Sequence, residues 1–319
     1  MEQKTLNTSH KLSAIKIALL KTCLYFDIFH YPLTRDEIFK FCSVQIDDED
    51  QFNADLEELI TEGYLFRLGY FYSTRNDQNL AQRRINGNLL AKVRMKLAKR
   101  ISRFIGQFPF VRGVMLSGSI SKGYMEPHSD IDYFIVTAPG RLWIARTLLV
   151  VFKRLFLFNS HKYFCVNYFI DTQHNEIEEQ NLFTATELAT LIPTVGKEPY
   201  QKLMDNNSWY TKYYPQMNGN GVDHIKPEPR GIIKKGLEFV LNNFWGDRLD
   251  QQFMRITLKF WQNNYHELHQ GKDFEIAFKT RRYVSKNHPK HYQKKIIELH
   301  HTRIKAFELA HNLEISNHE

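Results

Sequence analysis

Cysteine is scarce in this chain: only three occur among 319 residues, Cys23, Cys42 and Cys165. They are scattered in apolar surroundings without metal-ligand spacing, which excludes a disulfide framework or zinc cluster and suits reduced core thiols. An uninterrupted hydrophobic run is also missing. The most apolar stretch, Leu142–Phe158, is broken by Arg146, Lys153 and Arg154. It reads as a buried amphipathic helix rather than a membrane span, so no membrane partner is expected. The N-terminal MEQKTLNTSHKLSA lacks a basic region followed by an apolar core, so no signal peptide is expected and the compartment reads as cytoplasmic. Acid is outnumbered by base, 35 Asp and Glu against 43 Lys and Arg, for a formal charge of +8. That excess favours anionic partners such as nucleotides, nucleic acids or anionic surfaces. Histidines are numerous, but His300-His301 and His288-x-x-His291 have no acidic or cysteine companions, so no metal site is expected there.

What is present concentrates in Val114–Val136, VMLSGSISKGYMEPHSDIDYFIV. An apolar run ends in Gly118-Ser119, a loop carries Lys122 and Gly123, and Ser129-Asp130-Ile131-Asp132 opens a second apolar run. Aspartates two apart on a strand share a face. Their mutual repulsion calls for a divalent cation, and hard oxygen ligands select Mg²⁺. A Gly-Ser turn at a strand-to-helix junction presents N–H groups and a hydroxyl suited to a phosphate chain.

Gly118-Ser119, Gly123 and Asp130-x-Asp132, flanked by apolar strands, resemble the signature of the DNA polymerase β-like nucleotidyltransferase superfamily. The resemblance implies that Asp130 and Asp132 bind two Mg²⁺ ions, completed by a third carboxylate from a neighbouring strand. It further implies that Gly118 and Ser119 cradle the phosphates, with Ser129 beside them. An in-line displacement at the α-phosphate then releases pyrophosphate. Lys122 either neutralises developing charge or is a solvated loop lysine. The third carboxylate is sought on the strand Phe164–Ile170: Asp171 at its end is the candidate, and Asn167 in its middle is the rival. An amide there would leave the site without a proton acceptor.

The expected class is α+β, in three parts. Residues 1–78 read as a winged-helix-like module: a helix over about His10–Phe29, a short helix Asp36–Phe41 capped at Thr34, a helix Asp50–Glu62 stopped by Gly63, and a hairpin across Gly69. The helix Asp50–Glu62 carries five acids and no Lys or Arg, which opposes a phosphate backbone, so DNA readout is not expected. Residues 79–218 form the mixed-sheet catalytic domain, led by a basic amphipathic helix over Leu80–Ile105. Its later part has a helix over about Glu176–Leu191 and aromatics Trp209, Tyr210, Tyr213 and Tyr214 that read as core. Residues 219–319 form a linker and a C-terminal helical domain with helices near Ile232–Phe244, Leu249–His269 and Pro289–Leu313. Arg281, Arg282 and Lys286 are placed in a loop. The function implied is Mg²⁺-dependent transfer of a nucleoside monophosphate, AMP from ATP, to a hydroxyl of an acceptor that is a small molecule, RNA or protein. The alternative is a catalytically degenerate nucleotide-binding or partner-docking protein.

Overall fold

The computed structural model describes residues 12–158, 160, 162–217, 219, 221–222, 225–265, 272–287 and 292–316. In chain order the elements begin with α1 (Ala14–Phe26), β1 (Leu33–Thr34), α2 (Arg35–Phe41), α3 (Glu49–Thr61), β2 (Phe66–Leu68) and β3 (Phe71–Ser73). The long α4 (Gln78–Ile105) leads to β4 (Val111–Ser117), the single turn α5 (Gly118–Ser121), β5 (Asp132–Thr137), α6 (Leu142–Phe156) and β6 (Cys165–Asp171). Then come α7 (Leu182–Ala189), β7 (Ile192–Val195), α8 (Lys197–Asn206), α9 (Ile232–Leu241) and α10 (Phe244–Tyr265). The series closes with α11 (Lys272–Ala277), β8 (Thr280–Arg281), β9 (Val284–Lys286) and α12 (Tyr292–His311). Helices predominate around two separate sheets, and the class is α+β. Among the described residues no helix is long and apolar enough to cross a membrane.

The chain divides into two compact units. The first holds residues 1–86, 209–218 and 293–319. Its helices start where side chains can meet unpaired N–H groups: Ser13 caps α1, Asp48 caps α3, and Thr34 with Glu37 forms a reciprocal capping box on α2. Its small antiparallel sheet has the order β1-β3-β2, with the β2–β3 hairpin turning at Gly69 in the left-handed region. Buried Asp27 accepts from Ser73 Oγ and Thr74 N–H, tying the end of α1 to the hairpin. The apolar side of α12 (Ile296, Ile304, Phe307) is buried in this unit, with Phe307 edge-on to Tyr64. Tyr214 packs edge-on against Phe41, so this aromatic is core, as expected.

The second unit, residues 87–208 and 219–292, carries a six-stranded mixed sheet ordered β7-β4-β5-β6-β9-β8. Strands β5 and β6 are parallel, joined by the crossover helix α6, and the other neighbours are antiparallel. Its core combines Val114, Leu116 and Ile135 of the sheet with Trp143 and Leu149 of α6 and Ala91, Ala98 and Ile105 of α4.

Several expectations shift. The division into 1–78, 79–218 and 219–319 gives way to one in which α12 and residues 209–218 group with the N-terminal elements, because their apolar faces are buried there. Helices α9 and α10 group with the sheet instead of forming a separate helical domain with α12. Arg281 and Lys286 lie on strands β8 and β9, not in a loop, and extend the sheet beyond β6. His288, His291, the beginning of the first expected helix at His10 and the end of the α10 region at His269 lie outside the described residues.

Candidate functional site

Strand register builds the site. Strands β4 and β5 pair antiparallel with Ser117 opposite Asp132, which sets the turn after β4 beside the first residue of β5. Gly118 occupies that turn at φ +69°, and a Cβ there would stand 2.5 Å from Asp132 Oδ2. Glycine is therefore required twice, by backbone conformation and by the carboxylate against its Cα. Ser119 follows in α5, and its carbonyl accepts from the N–H groups of Lys122 and Tyr124.

The loop between α5 and β5 is clamped by α4. Arg94 donates to the carbonyls of Glu126 (3.2 Å), Pro127 (2.9 Å) and Ser129 (3.2 Å). Ser129 Oγ accepts the Glu126 N–H at 3.0 Å, so this residue shapes the loop that delivers Asp130. Ile131 bonds through its N–H to Lys162 O and through its carbonyl to the N–H of Cys165, which pins the approach to β5. The basic helix thus contributes a specific support, not merely a solvated face.

Asp132 is half-buried, and burial is the main cause that pushes its pKa up to about 7. A hydrogen bond from the Cys165 thiol opposes the shift, whereas the charges of Glu187 and Asp130 add to it and Lys122 reduces it. Cys165, paired with Asp132 across the parallel ladder, has its own thiol pushed up by burial and by that carboxylate. Asn167 Nδ2 donates to Cys165 Sγ at 2.8 Å. Opposite Asp132, strand β6 therefore sets a thiol backed by an amide.

Asp171 does not join this group. The β5–β6 register runs from Asp132↔Cys165 to Thr137↔Asp171, with an irregularity between Tyr133 and Phe134. Five residues of strand put Asp171 about 16 Å from the Asp132 end, at about 3.3 Å per residue. There its Oδ1 accepts from the N–H groups of Gln173 (2.8 Å) and His174 (2.7 Å) and lies 3.1 Å from the ring Nδ1 of His174. Asp171 is a buried turn cap, and its expected places as catalytic residue and metal ligand are corrected accordingly.

Two residues passed over in the sequence approach the aspartates. Glu187 of α7 accepts from the Gly118 N–H at 3.2 Å through Oε2 and pairs with Lys122 Nζ at 2.8 Å through Oε1. Lys122 also donates to Gly118 O at 3.1 Å, so the lysine folds back onto the turn. Lys153 of α6 is buried, its pKa is lowered chiefly by that burial, and the charge of Asp130 opposes the shift. No local motif marks either residue. Glu187 arrives through the pairing of β7 with β4, a contact between segments about 70 residues apart in sequence.

Asp130 and Asp132 suit Mg²⁺ on one physical ground. A carboxyl driven to about 7 by burial and by acidic neighbours would be relieved by a divalent cation. Among the described residues no group of three or more His, Cys, Asp or Glu is arranged as a metal cage. No protein-family model, curated protein or solved structure matches the chain.

Proposed function

We propose that this chain is a Mg²⁺-dependent nucleotidyltransferase that moves a nucleoside monophosphate, AMP from ATP, onto the hydroxyl of an acceptor. The observation that carries this reading is the contact of Gly118 with Asp132: a left-handed glycine turn at the start of a helix abuts a cation-seeking carboxylate, with Asp130 two residues before it. The triphosphate meets Gly118, Ser119 and Lys122, and its entry competes with Glu187 for the Gly118 N–H and the Lys122 ammonium. Asp130 and Asp132 would hold Mg²⁺, which would supply neutralisation of phosphate charge; the acceptor hydroxyl gives up its proton to solvent as its oxygen bonds to the α-phosphorus and the bond to pyrophosphate breaks. Arg94 keeps the Asp130 loop in place for that step. The sheet of the second unit corresponds in this reading to the nucleotidyltransferase domain. The helices and hairpin of the first correspond to a winged-helix-like module whose acidic α3 suits a protein contact better than DNA.

A second reading, nucleotide binding without transfer, is favoured by Cys165 and Asn167, which stand where β6 would supply the third acid. One experiment separates the two. Protein, Mg²⁺ and NTP labelled at the α-phosphate are incubated with cell extract, and calorimetry follows Mg·ATP binding in parallel. Transfer of label that disappears in Asp132→Asn supports the enzyme. Binding that requires Mg²⁺ but releases no pyrophosphate supports the second reading, and absence of both defeats the pair.

A further inference from the structure

Helix α9 is built inside out. Its charged side chains Lys234 and Glu238 turn towards the protein. Lys234 Nζ donates to Gly106 O (2.9 Å) and Val111 O (2.6 Å) and sits 2.9 Å from Glu228 Oε1. Glu238 accepts from the Phe110 N–H (2.5 Å) and from both terminal nitrogens of Arg112 (2.8 and 3.2 Å). The apolar side chains turn outwards: Ile232 is 90 % exposed, Phe239 86 % and Ile233 79 %. At 100° per residue, Phe239, Ile232, Val240, Ile233 and Leu237 fall within one arc of about 160°, with Lys234 and Glu238 opposite. Beyond the helix, exposed Phe244 and Trp245 continue the apolar surface. A helix docked by hydrophobic burial would face the other way, and an apolar patch of this kind marks an interaction site.

The charges around the patch identify what it meets. All four acids of residues 226–250 are engaged with the protein itself: Glu228 and Glu238 with Arg112, Asp247 with Arg141, and Asp250 with the N–H groups of Trp143 and Ile144. The cations Lys226, Arg230, Lys235 and Arg248 are exposed, and the Arg248 guanidinium lies 4.4 Å from the Phe244 ring centroid. Glu228 and Glu238 are turned inwards and Asp247, its side chain 46 % exposed, is held by Arg141, so among the described residues 226–250 the exposed charge beside the apolar, aromatic surface is mainly basic. A second copy of the chain would bring like charges together across a two-fold interface, which disfavours self-association.

We propose that α9 and the start of α10 form a docking surface for an anionic lipid bilayer. Ten residues of helix span about 15 Å, too short to cross a membrane, so the helix lies in the headgroup plane. Its Ile, Val and Phe side chains enter the acyl boundary, Trp245 sits at headgroup level, and the four cations meet lipid phosphates. The site is independent of the nucleotide reading.

The test uses the full chain with vesicles of phosphatidylcholine alone or mixed with phosphatidylglycerol. Co-sedimentation is expected to be about tenfold stronger with the anionic vesicles and to weaken with salt. Of the four tryptophans, Trp143, Trp209 and Trp261 are buried and Trp245 is 71 % exposed, so a blue shift of fluorescence on binding reports Trp245. Trp245→Phe should abolish the shift while leaving co-sedimentation. Phe239→Asp combined with Val240→Asp changes only exposed positions, and should abolish vesicle binding without lowering the melting temperature. Equal binding to both vesicle types, no binding by the folded protein, or a homodimer that Val240→Asp dissociates would overturn the proposal.

Discussion

Asp132 and Asp171 stand at opposite ends of the same parallel strand pair, and their surroundings differ in kind. Asp171 is buried among donors: two backbone N–H groups and a histidine ring nitrogen converge on one of its oxygens. Its charge is spent on holding a turn. Asp132 has the Cys165 thiol as donor, acids as neighbours, and a glycine Cα against its carboxylate. Burial of a carboxyl is thus no guide to its role. The donors already committed to it distinguish a structural cap from a carboxyl whose charge is left without comparable donors.

Exchanging each carboxylate for its amide breaks the comparison most sharply. Asp132→Asn should lower nucleotidyl transfer by about 10²–10³-fold, the scale of losing one pre-organised electrostatic contact to the reacting phosphate. Asp171→Asn should leave transfer near the parent level yet cost about 1–3 kcal/mol of stability, because two backbone donors lose a charged acceptor. Label-transfer assays and chemical denaturation on both variants decide it. Loss of transfer in a stable Asp171→Asn protein would relocate the site to the other end of the sheet.

The same pair differs in its response to pH. Folded Asp132 keeps its proton until about pH 7, whereas an unfolded aspartate releases it near pH 3.9. The folded state therefore binds the extra proton between those values. This contribution to stability is complete below the unfolded pKa and is lost as pH rises through the folded one. Asparagine does not ionise, so Asp132→Asn should melt with the parent near pH 4 and progressively above it towards pH 8, by at most about 4 kcal/mol. Mg²⁺ at pH 8 should raise the parent's melting temperature and leave that of Asp132→Asn unchanged. A constant offset across the pH range would show that Asp132 is ionised throughout.

The glycines sharpen the contact itself. Gly118 and Gly123 share left-handed backbones, φ +69° and +68°, but a Cβ on Gly123 meets nothing within 4 Å. Alanine at either position costs about 1–2 kcal/mol for the conformation. Gly118→Ala adds the collision with Asp132, so it should lose more stability than Gly123→Ala and should also lose Mg²⁺ affinity. Equal losses in thermal melts would mean that the carboxylate moves aside without consequence.

How much of this could be read from the sequence follows from the range of each interaction. The Gly118-Ser119 turn and the strand opening at Asp132 were legible because turn, loop and strand lie within some twenty consecutive residues, whereas Asp130, expected on that strand and sharing a face with Asp132, lies in the loop before it. The caps at Thr34 and the left-handed stop at Gly63 were legible for the same reason. Asp171 was misplaced because its face depends on register, and Asn167 falls where the β5–β6 ladder slips by one residue. Strands β8 and β9 have two and three residues, too few for an alternating pattern to stand out. The helix near Ile232–Phe244 was legible but not that its apolar side turns outwards, since direction is set by the buried partners of Lys234 and Glu238. Glu187 could be found only from the fold.

Glu187 gives the smallest effect and the most informative sign. Its carboxylate bridges the Gly118 N–H and the Lys122 ammonium, the groups assigned above to the triphosphate. Glu187→Gln preserves an acceptor for the N–H but removes the charge that holds Lys122. An arriving phosphate then meets less repulsion and a less engaged ammonium. One partly exposed ion pair is worth about 1 kcal/mol or less, so affinity for Mg·ATP should rise by up to about fivefold. Calorimetric titration of parent and variant measures this directly. A fall in affinity would instead make Glu187 a working part of the cation site, supplying from helix α7 the acid that β6 lacks.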